Sequence, residues 1–565
     1  MWKYIRTNRF VAISVFLILI FHFFNNYIWL KSDSISTGHE DAIWHLDNQF
    51  VFFNALKNTL SLKGVEPLLI LRNLFNIVSG STILVQNWPP LVYFITSLFN
   101  LVFGYSFFMV RFLQINYFII LLISTYKIGS VTYNRKAGLL AMLILSLYPA
   151  IFGISRMYEL DFPLAAAVCF CMYLLLVTNF ENRWKSLLFG AVLGLSILIK
   201  GQVIFFIGAP ISYIFLISLR KKNDASGRAV SLIGNLVISI STAMAISSIW
   251  WLKHVGLLFR ELYEHFIVFY ISPHQGSFHI YNAIIDAYGY IPFKPFGFNW
   301  FFYYLYMTVA RISPLFFLVF IFGLYFFLRS KKIKLRNFIL IWVICPYMVL
   351  TLLSYKWERY YFPSFPALAL ISAVGLLELK NKITRRFLIS LVVMIGLFQF
   401  FELSFGKEQL LYPLKKDWMR VGDWNHPPYD SNLEEVVRKF IKAIKMNVRE
   451  DVSFPGRIAI LGGKEDILKY FIRVHMPNSL VYRGCDIGEL QRQSKDLDFL
   501  IVLGAFPDSK DGFIDLIKNN KAKSSVISSA DEEMLRGLLN IYKDYKVINE
   551  DILQPDGVRI ALLSK

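Results

Sequence analysis

Two adjacent acids, Glu40 and Asp41, follow the first apolar run of the chain and stand between His39 and His45. The run, residues 10–30, is long enough to cross a bilayer. Carboxylates at a water–lipid boundary are costly and usually mark a site. A carboxylate in this position can act as a general base toward a hydroxyl group. A solvated loop after a helix explains the same residues equally well, so the choice between a site and a loop depends on other parts of the chain.

Asp161 and Lys200 are the next candidates for a polar site. Asp161 stands two residues before Pro163, and proline in a first helical turn places it near a helix N-terminus, where the helix dipole favours an ionised carboxylate. A simple helix cap would occupy the same position. Lys200 lies between two apolar runs, where its amine could bind a phosphate. The alternative is that the amine only extends to the membrane surface and binds no ligand.

Cations and aromatic residues are densest in residues 356–363, which contain Lys356, Arg359 and Tyr360. Two cations beside aromatic rings suit a phosphate joined to a lipid tail. An aromatic belt at the membrane interface is the alternative, because tryptophan and tyrosine collect there. His265, in the predicted outer loop 252–299, is a weaker candidate because it is an isolated signal outside any motif.

The composition excludes an ordinary soluble protein. The 565 residues are 56% hydrophobic and only 17% charged, and the mean hydropathy is +0.49. The net charge of +20 comes from short basic clusters between apolar runs. This is the positive-inside pattern of membrane proteins, so no nucleic-acid partner is predicted. The four cysteines show neither a disulfide framework nor the spacing of a metal site.

The basic clusters predict a cytosolic N-terminus and about 11 membrane spans within residues 1–405. Residues 91–108 are instead predicted to form an interfacial or half-inserted helix. In this topology the first-loop acids, Asp161, Lys200 and residues 356–361 all reach the outer face. We interpret the convergence as a catalytic chamber at one membrane face, with chance alignment of several loops as the alternative.

Residues 406–565 are more polar and are predicted to form a soluble, extracytoplasmic α/β domain. Strands are predicted at 457–461, 497–503 and 558–563, and amphipathic helices at 433–445 and 531–545. The pattern G-x-G-x-x-G does not follow the first strand, so a nucleotide site is not predicted. The predicted fold class is a polytopic α-helical membrane protein with a C-terminal α/β domain.

A series of short motifs runs through residues 10–375. They are the acidic pair after the first span, Asn87-Trp88-Pro89-Pro90-Leu91, Phe103-Gly104, Arg111, Leu160-Asp161-Phe162-Pro163, Ile199-Lys200-Gly201 and Arg359-Tyr360-Tyr361-Phe362-Pro363. In this order the chain resembles the membrane glycosyltransferases of the GT-C class, in the branch of the protein O-mannosyltransferases and the lipid A aminoarabinose transferase. No single motif is specific to one activity.

The resemblance implies transfer of a sugar from a polyprenyl-phosphate donor to an acceptor, which is a lipid, a glycan or a protein, at the outer face. The first acid of the family falls on Glu40 or Asp41, as a general base or a ligand of a divalent cation. Its second acid matches Asp161, and its phosphate-binding lysine matches Lys200. The carrier-contacting loop of the family matches Arg359 and Tyr360.

His265 resembles a site histidine of the aminoarabinose transferase, which makes Glu40, Asp41 and His265 the possible metal ligands. Arg156 and Lys356 complete the predicted substrate-binding set. In that enzyme an acidic–basic pair precedes the proline where this chain has Trp88-Pro89, which argues against the same sugar and acceptor.

Two other classes of membrane protein remain as alternatives. A polytopic transporter or lipid flippase needs ionisable residues near the mid-depth of its helices, often with internal repeats, whereas the charges here gather at the membrane faces. A non-catalytic scaffold needs none of the acids. We expect a multi-pass protein of a bacterial inner (plasma) membrane, because no lumenal retention motif is found.

Overall fold

The computed structural model describes most of the first 406 residues and parts of the remainder. The described residues are 2–34, 40–61, 67–79, 88–220, 225–256, 259, 298–353, 356–406, 428, 433–447, 457–461, 470–472, 474, 480–483, 499–503, 546–553 and 558–564. His265 and the predicted helix 531–545 lie outside the described residues.

Helices dominate the described chain. They are α1 (Trp2–Ser32), α2 (Glu40–Leu60), α3 (Pro67–Val78), α4 (Leu91–Phe103), α5 (Phe107–Phe112), α6 (Gln114–Thr132), α7 (Arg135–Ser146), α8 (Pro149–Ile154), α9 (Asp161–Thr178), α10 (Arg183–Ile197), α11 (Val203–Arg220), α12 (Ala225–Trp251), α13 (Phe298–Ile312), α14 (Pro314–Arg329), α15 (Arg336–Leu352), the 3₁₀ helix Glu358–Ser364, α16 (Phe365–Leu377), α17 (Lys382–Phe405) and α18 (Leu433–Asn447).

Seven helical segments in the described part of the chain are long and apolar enough to cross a membrane, and α13 with α14 makes an eighth if this bent pair counts as one span. They are Arg9–Ser32, Phe107–Thr132, Asp161–Thr178, Val203–Arg220, Ala229–Trp251, Glu358–Leu377 and Lys382–Phe405. The protein is therefore an integral, multi-pass membrane protein.

This count is lower than the predicted number of about 11 spans, because several predicted spans form helices that are divided or too short to be counted. The predicted span at residues 138–155 is divided between α7 and α8. The predicted spans around α10 and α15 form helices of only 15 and 17 residues. Hydropathy alone does not reveal where such apolar runs stop being helical.

The first of two compact units comprises Met1–Trp29 and Val51–Pro427, and its described secondary structure is entirely helical. Small residues let its helices approach closely, as is usual in membranes. A Cβ added to Gly375 of α16 would lie 2.2 Å from the Cα of Gly323 in α14. Helices α9 and α16 are buried along most of their length, so residues at their first turns lie within protein.

A sharp break separates α13 from α14, whose axes differ by 115°. Ser313 adopts a φ of +78° between them, and Pro314 begins α14. Proline lacks the N–H group that would continue a helix from α13. The hydroxyl of Ser313 donates a hydrogen bond to the Gln399 side-chain oxygen at 3.1 Å. As a result Arg311 lies in the last turn of α13.

The second unit comprises Leu30–Phe50 and Pro428–Lys565. Its described strands are β1 (Arg457–Leu461), β2 (Leu480–Arg483), β3 (Phe499–Leu503), β4 (Lys546–Leu553) and β5 (Val558–Ser564), in the sheet order β2-β1-β3-β5-β4. Strand β1 is parallel to both β2 and β3, whereas β5 is antiparallel to β3 and β4. Helix α18 packs near β4 and buries its apolar face. The domain boundary between residues 405 and 406, and an extracytoplasmic α/β domain, stay predictions.

We expect Gly375→Ala to destabilise the first unit, because the new Cβ has no room against Gly323. Overpacking of this kind costs about 1–3 kcal/mol. Thermal unfolding of the purified protein in detergent measures the loss. Gly208→Ala is the control, since a Cβ at Gly208 meets no atom within 4 Å. Equal melting temperatures for the two variants would contradict the close packing of α14 and α16.

Candidate functional site

Asp161 joins two buried cations through its two carboxylate oxygens. Lys200 Nζ donates a hydrogen bond to Oδ1 at 2.7 Å. Arg359 Nε lies 2.9 Å from Oδ2. All three side chains are at most 6% exposed. Because each carboxylate oxygen contacts one cation, Asp161 holds the two cations at a fixed separation inside the protein.

Each member of this trio occupies the end of a helix. Asp161 is the first residue of α9, yet Leu160 holds the cap position and no side chain caps the helix. The helix-cap alternative for Asp161 is therefore not what the structure shows. Lys200 follows the end of α10 and its amine points to Asp161 rather than to the membrane surface. Arg359 lies in the 3₁₀ helix that precedes α16.

Aromatic rings and a second acid surround the trio. The Lys200 amine lies 5.1 Å from the centre of the Trp88 ring and 4.9 Å from that of Tyr360, distances typical of cation–π contacts. Glu159, which is 1% exposed, places Oε1 3.8 Å from Arg359 Nη1. Two acids and two bases thus meet in a water-poor setting, where opposite charges interact strongly. We call Glu159, Asp161, Lys200 and Arg359 the charge cluster.

The charge cluster has the groups needed to stabilise a phosphate that leaves a sugar. Lysine and arginine donors can bind several phosphate oxygens and disperse the charge that develops on them. A dianionic phosphate would have to share or replace the carboxylate of Asp161 as the partner of Lys200 and Arg359. Lys356 and residues 358–363 are buried and Trp357 is half-buried, so this stretch does not form the interfacial belt considered as its alternative.

The amine of Lys356 contacts the end of a neighbouring helix and not the charge cluster. Its amine donates hydrogen bonds to the carbonyls of Thr351 at 2.6 Å and Leu350 at 3.2 Å, at the C-terminal end of α15. It also lies 4.0 Å from the centre of the Trp300 ring. Burial lowers the pKa of Lys356 to about 7. The amine thus caps a helix and anchors the start of the stretch that carries Arg359.

Arg156 forms a separate buried cluster with helices α1 and α17. Its Nε donates to the Asn26 side-chain oxygen at 3.1 Å, and Nη2 donates to the Ser404 hydroxyl at 3.0 Å. Its guanidinium lies 5.0 Å from the centre of the Trp29 ring. Arg111 Nε donates to the backbone carbonyl of Arg156 at 3.0 Å. These contacts tie helix ends together within the first unit.

The predicted metal ligands are not brought into one described group. Glu40 and Asp41 begin α2, and His265 lies outside the described residues. Among the residues that the structure describes, no three histidine, cysteine, aspartate or glutamate side chains form a group that could hold a metal. Asp161 and Glu159 do not suit a divalent cation either, since both face basic side chains. The metal site stays a prediction.

Two features of this region were not predicted. Glu159 belongs to the same stretch as Asp161, and its spacing of two residues was the available signal. The other is a buried ion pair in which Arg311 Nη2 lies 2.8 Å from Glu358 Oε1. A lone arginine inside the apolar segment 298–328 was its signal, because ionisable residues at membrane depth are rare and usually functional.

Comparisons with known proteins agree on the fold. Residues 87–251 match the model of the family described as dolichyl-phosphate-mannose-protein mannosyltransferase. With that match and the likeness to ArnT given below, the predicted resemblance to GT-C membrane glycosyltransferases is confirmed. No curated protein matches the chain significantly.

The fold is similar to that of ArnT from Cupriavidus metallidurans. The form bound to undecaprenyl phosphate gives a TM-score of 0.55 at 12% identity, covering 97% of this chain and 97% of that chain. The apo form gives 0.54 at 12% identity, covering 99% and 98%. The Archaeoglobus fulgidus oligosaccharyltransferase in its apo form gives 0.44 at 13% identity, covering 86% and 69%.

The buried amine of Lys356 predicts a pH-dependent stability. Its pKa of about 7 in the folded protein is below the ordinary lysine value of about 10.4. Between these values the unfolded chain holds a proton that the folded chain lacks, so the stability contributed by this group rises with pH. We expect wild type to gain stability relative to Lys356→Met between about pH 7 and pH 9.5 in unfolding measurements.

The control for this measurement is Lys332→Met, because the Lys332 side chain is 72% exposed. Its stability relative to wild type should not follow the same trend. A difference between wild type and Lys356→Met that stays constant with pH would contradict a depressed pKa for the buried amine.

Proposed function

We propose that this protein transfers a sugar from a polyprenyl-phosphate donor to an acceptor at the outer face of the membrane. The observation that carries the proposal is the convergence of Lys200 and Arg359 on Asp161, buried within a fold shared with ArnT. The ArnT structure contains undecaprenyl phosphate, which supports a polyprenyl-phosphate carrier here. The acceptor is a lipid, a glycan or a protein.

In the proposed reaction an acceptor hydroxyl oxygen attacks the anomeric carbon of the donor sugar. The bond between that carbon and the phosphate oxygen breaks, and its electron pair stays with the phosphate. Lys200 and Arg359 stabilise the charge on the departing lipid phosphate. The acceptor proton passes to a carboxylate that acts as general base. Tyr360 and Trp88 flank the Lys200 amine and limit its access to water.

Glu40 and Asp41 are the proposed sources of the general base. They occupy the first turn of α2, where the positive end of the helix dipole favours the ionised form that a base requires. Asp161 is proposed to orient the two cations and to exchange with the phosphate as their partner. His265, Arg156 and Lys356 stay proposed substrate contacts, and the divalent cation stays a proposal without a defined site.

The proposed topology follows from the basic clusters between spans. It places the N-terminus in the cytosol and the C-terminal α/β domain outside a bacterial inner membrane. The charge cluster would then lie near the outer face. A carrier with a membrane-embedded prenyl tail reaches such a site without leaving the bilayer.

A transfer assay in liposomes tests the proposal. A panel of radiolabelled polyprenyl-phosphate sugars is offered to wild type, to Asp161→Asn and to the double variant Glu40→Gln/Asp41→Asn. We expect wild type to release free lipid phosphate and the double variant to be slower by about 100-fold or more, since a general base contributes that much. Asp161→Asn slows because Lys200 and Arg359 lose the carboxylate that orients them.

The matched control is Glu435→Gln, which alters an exposed acid paired with Lys439 on α18. Its rate should equal that of wild type, and all variants are compared after folding is verified by size-exclusion chromatography. Equal rates for wild type and the acid variants would refute the assigned roles. Wild type without activity toward any donor would favour a transporter or a scaffold.

A further inference from the structure

The 3₁₀ helix Glu358–Ser364 carries Arg359 into the charge cluster, so its rotation about its own axis determines where that guanidinium points. A 3₁₀ helix has three residues per turn, so residues 358 and 361 share one face while 359 and 360 project in other directions. Both residues of the shared face are anchored to neighbouring helices.

The first anchor is the ion pair between Glu358 and Arg311. Arg311 Nη2 lies 2.8 Å from Glu358 Oε1, and the two side chains are 3% and 5% exposed. The second anchor is Tyr361, whose hydroxyl donates to the Val343 carbonyl at 2.9 Å. Trp342 Nε1 donates to the Pro363 carbonyl at 3.0 Å, which holds the end of the same element.

The break in the α13–α14 pair explains how a charged side chain reaches this position. Because the chain turns by 115° at Ser313, α13 ends beside the 3₁₀ helix and α14 continues in a different direction. Arg311 lies in the last turn of α13, where the negative end of the helix dipole favours a cation. The helix end and Glu358 together offset the cost of burying the guanidinium.

We infer that Arg311 and Glu358 are positioning residues that set the placement of Arg359 for the lipid phosphate. This inference rests on the proposed function. Arg311 contacts Glu358, and Glu358 is adjacent to Arg359 in the chain, so a change in the ion pair reaches the phosphate site through the 3₁₀ helix. Buried ion pairs on two successive residues thus hold this helix from two different directions.

A double-mutant cycle on carrier binding tests the inference. The probe is undecaprenyl phosphate without a sugar, titrated into the full-length protein in detergent. Arg311→Met should weaken its binding about tenfold or more in the wild-type background, and less than about twofold in the Arg359→Lys background. Non-additivity arises because a positioning residue has no effect once the residue it positions is changed. A general loss of packing would give the same fold-change in both backgrounds.

Glu358→Gln provides a second cycle if Arg311→Met does not yield folded protein, because glutamine keeps the side-chain shape and removes its charge. Arg311→Lys should recover part of the affinity, since it restores a cation near Glu358. The matched control is Glu378→Gln, which alters an ion pair with the exposed Lys332 and should leave carrier binding unchanged.

Equal losses in both Arg359 backgrounds, or no loss in the wild-type background, would overturn the positioning role. In either case carrier binding by wild type would leave the proposed function standing. Wild type that does not bind undecaprenyl phosphate would instead overturn the proposed function, and the inference with it.

Discussion

Burial of charge is the constraint on which this structure depends. Asp161, Lys200 and Arg359 are almost fully enclosed, and an enclosed ion is stable only with partners of opposite charge at short distance. The ion pair of Arg311 with Glu358 meets the same requirement a few residues away. Such pairs are individually expensive to desolvate. Their concentration around one 3₁₀ helix is therefore weak evidence for stability and supports the proposed phosphate site.

The rest of the first unit provides the rigid surroundings that these charges need. Glycines such as Gly323 and Gly375 bring helix backbones into contact, which leaves little freedom for neighbouring helix ends. Helix breaks then place polar residues at defined points inside the bundle. Lys356 has two structural roles, since its amine caps the C-terminal end of α15 and fixes the segment that leads to Arg359.

Sequence reasoning located the residues of the charge cluster better than it located their surroundings. Asp161, Lys200 and Arg359 were identifiable because polar residues at the ends of apolar runs are conspicuous. The direction of the Lys356 amine was not predictable, because a lysine beside aromatic rings serves a ligand or a helix end equally well. The helix break at Ser313 was also not predicted, because hydropathy gives no information about the backbone angle φ at one residue. The role of Arg311 follows only from that break.

The order of the cluster along the chain has a consequence for biosynthesis. Asp161 begins α9 and Lys200 follows the end of α10. The two side chains can therefore neutralise each other as soon as this helical hairpin has entered the membrane. Arg359 is synthesised much later. The early pair therefore neutralises Asp161 during insertion, and the later arginine then reaches both Asp161 and Glu159.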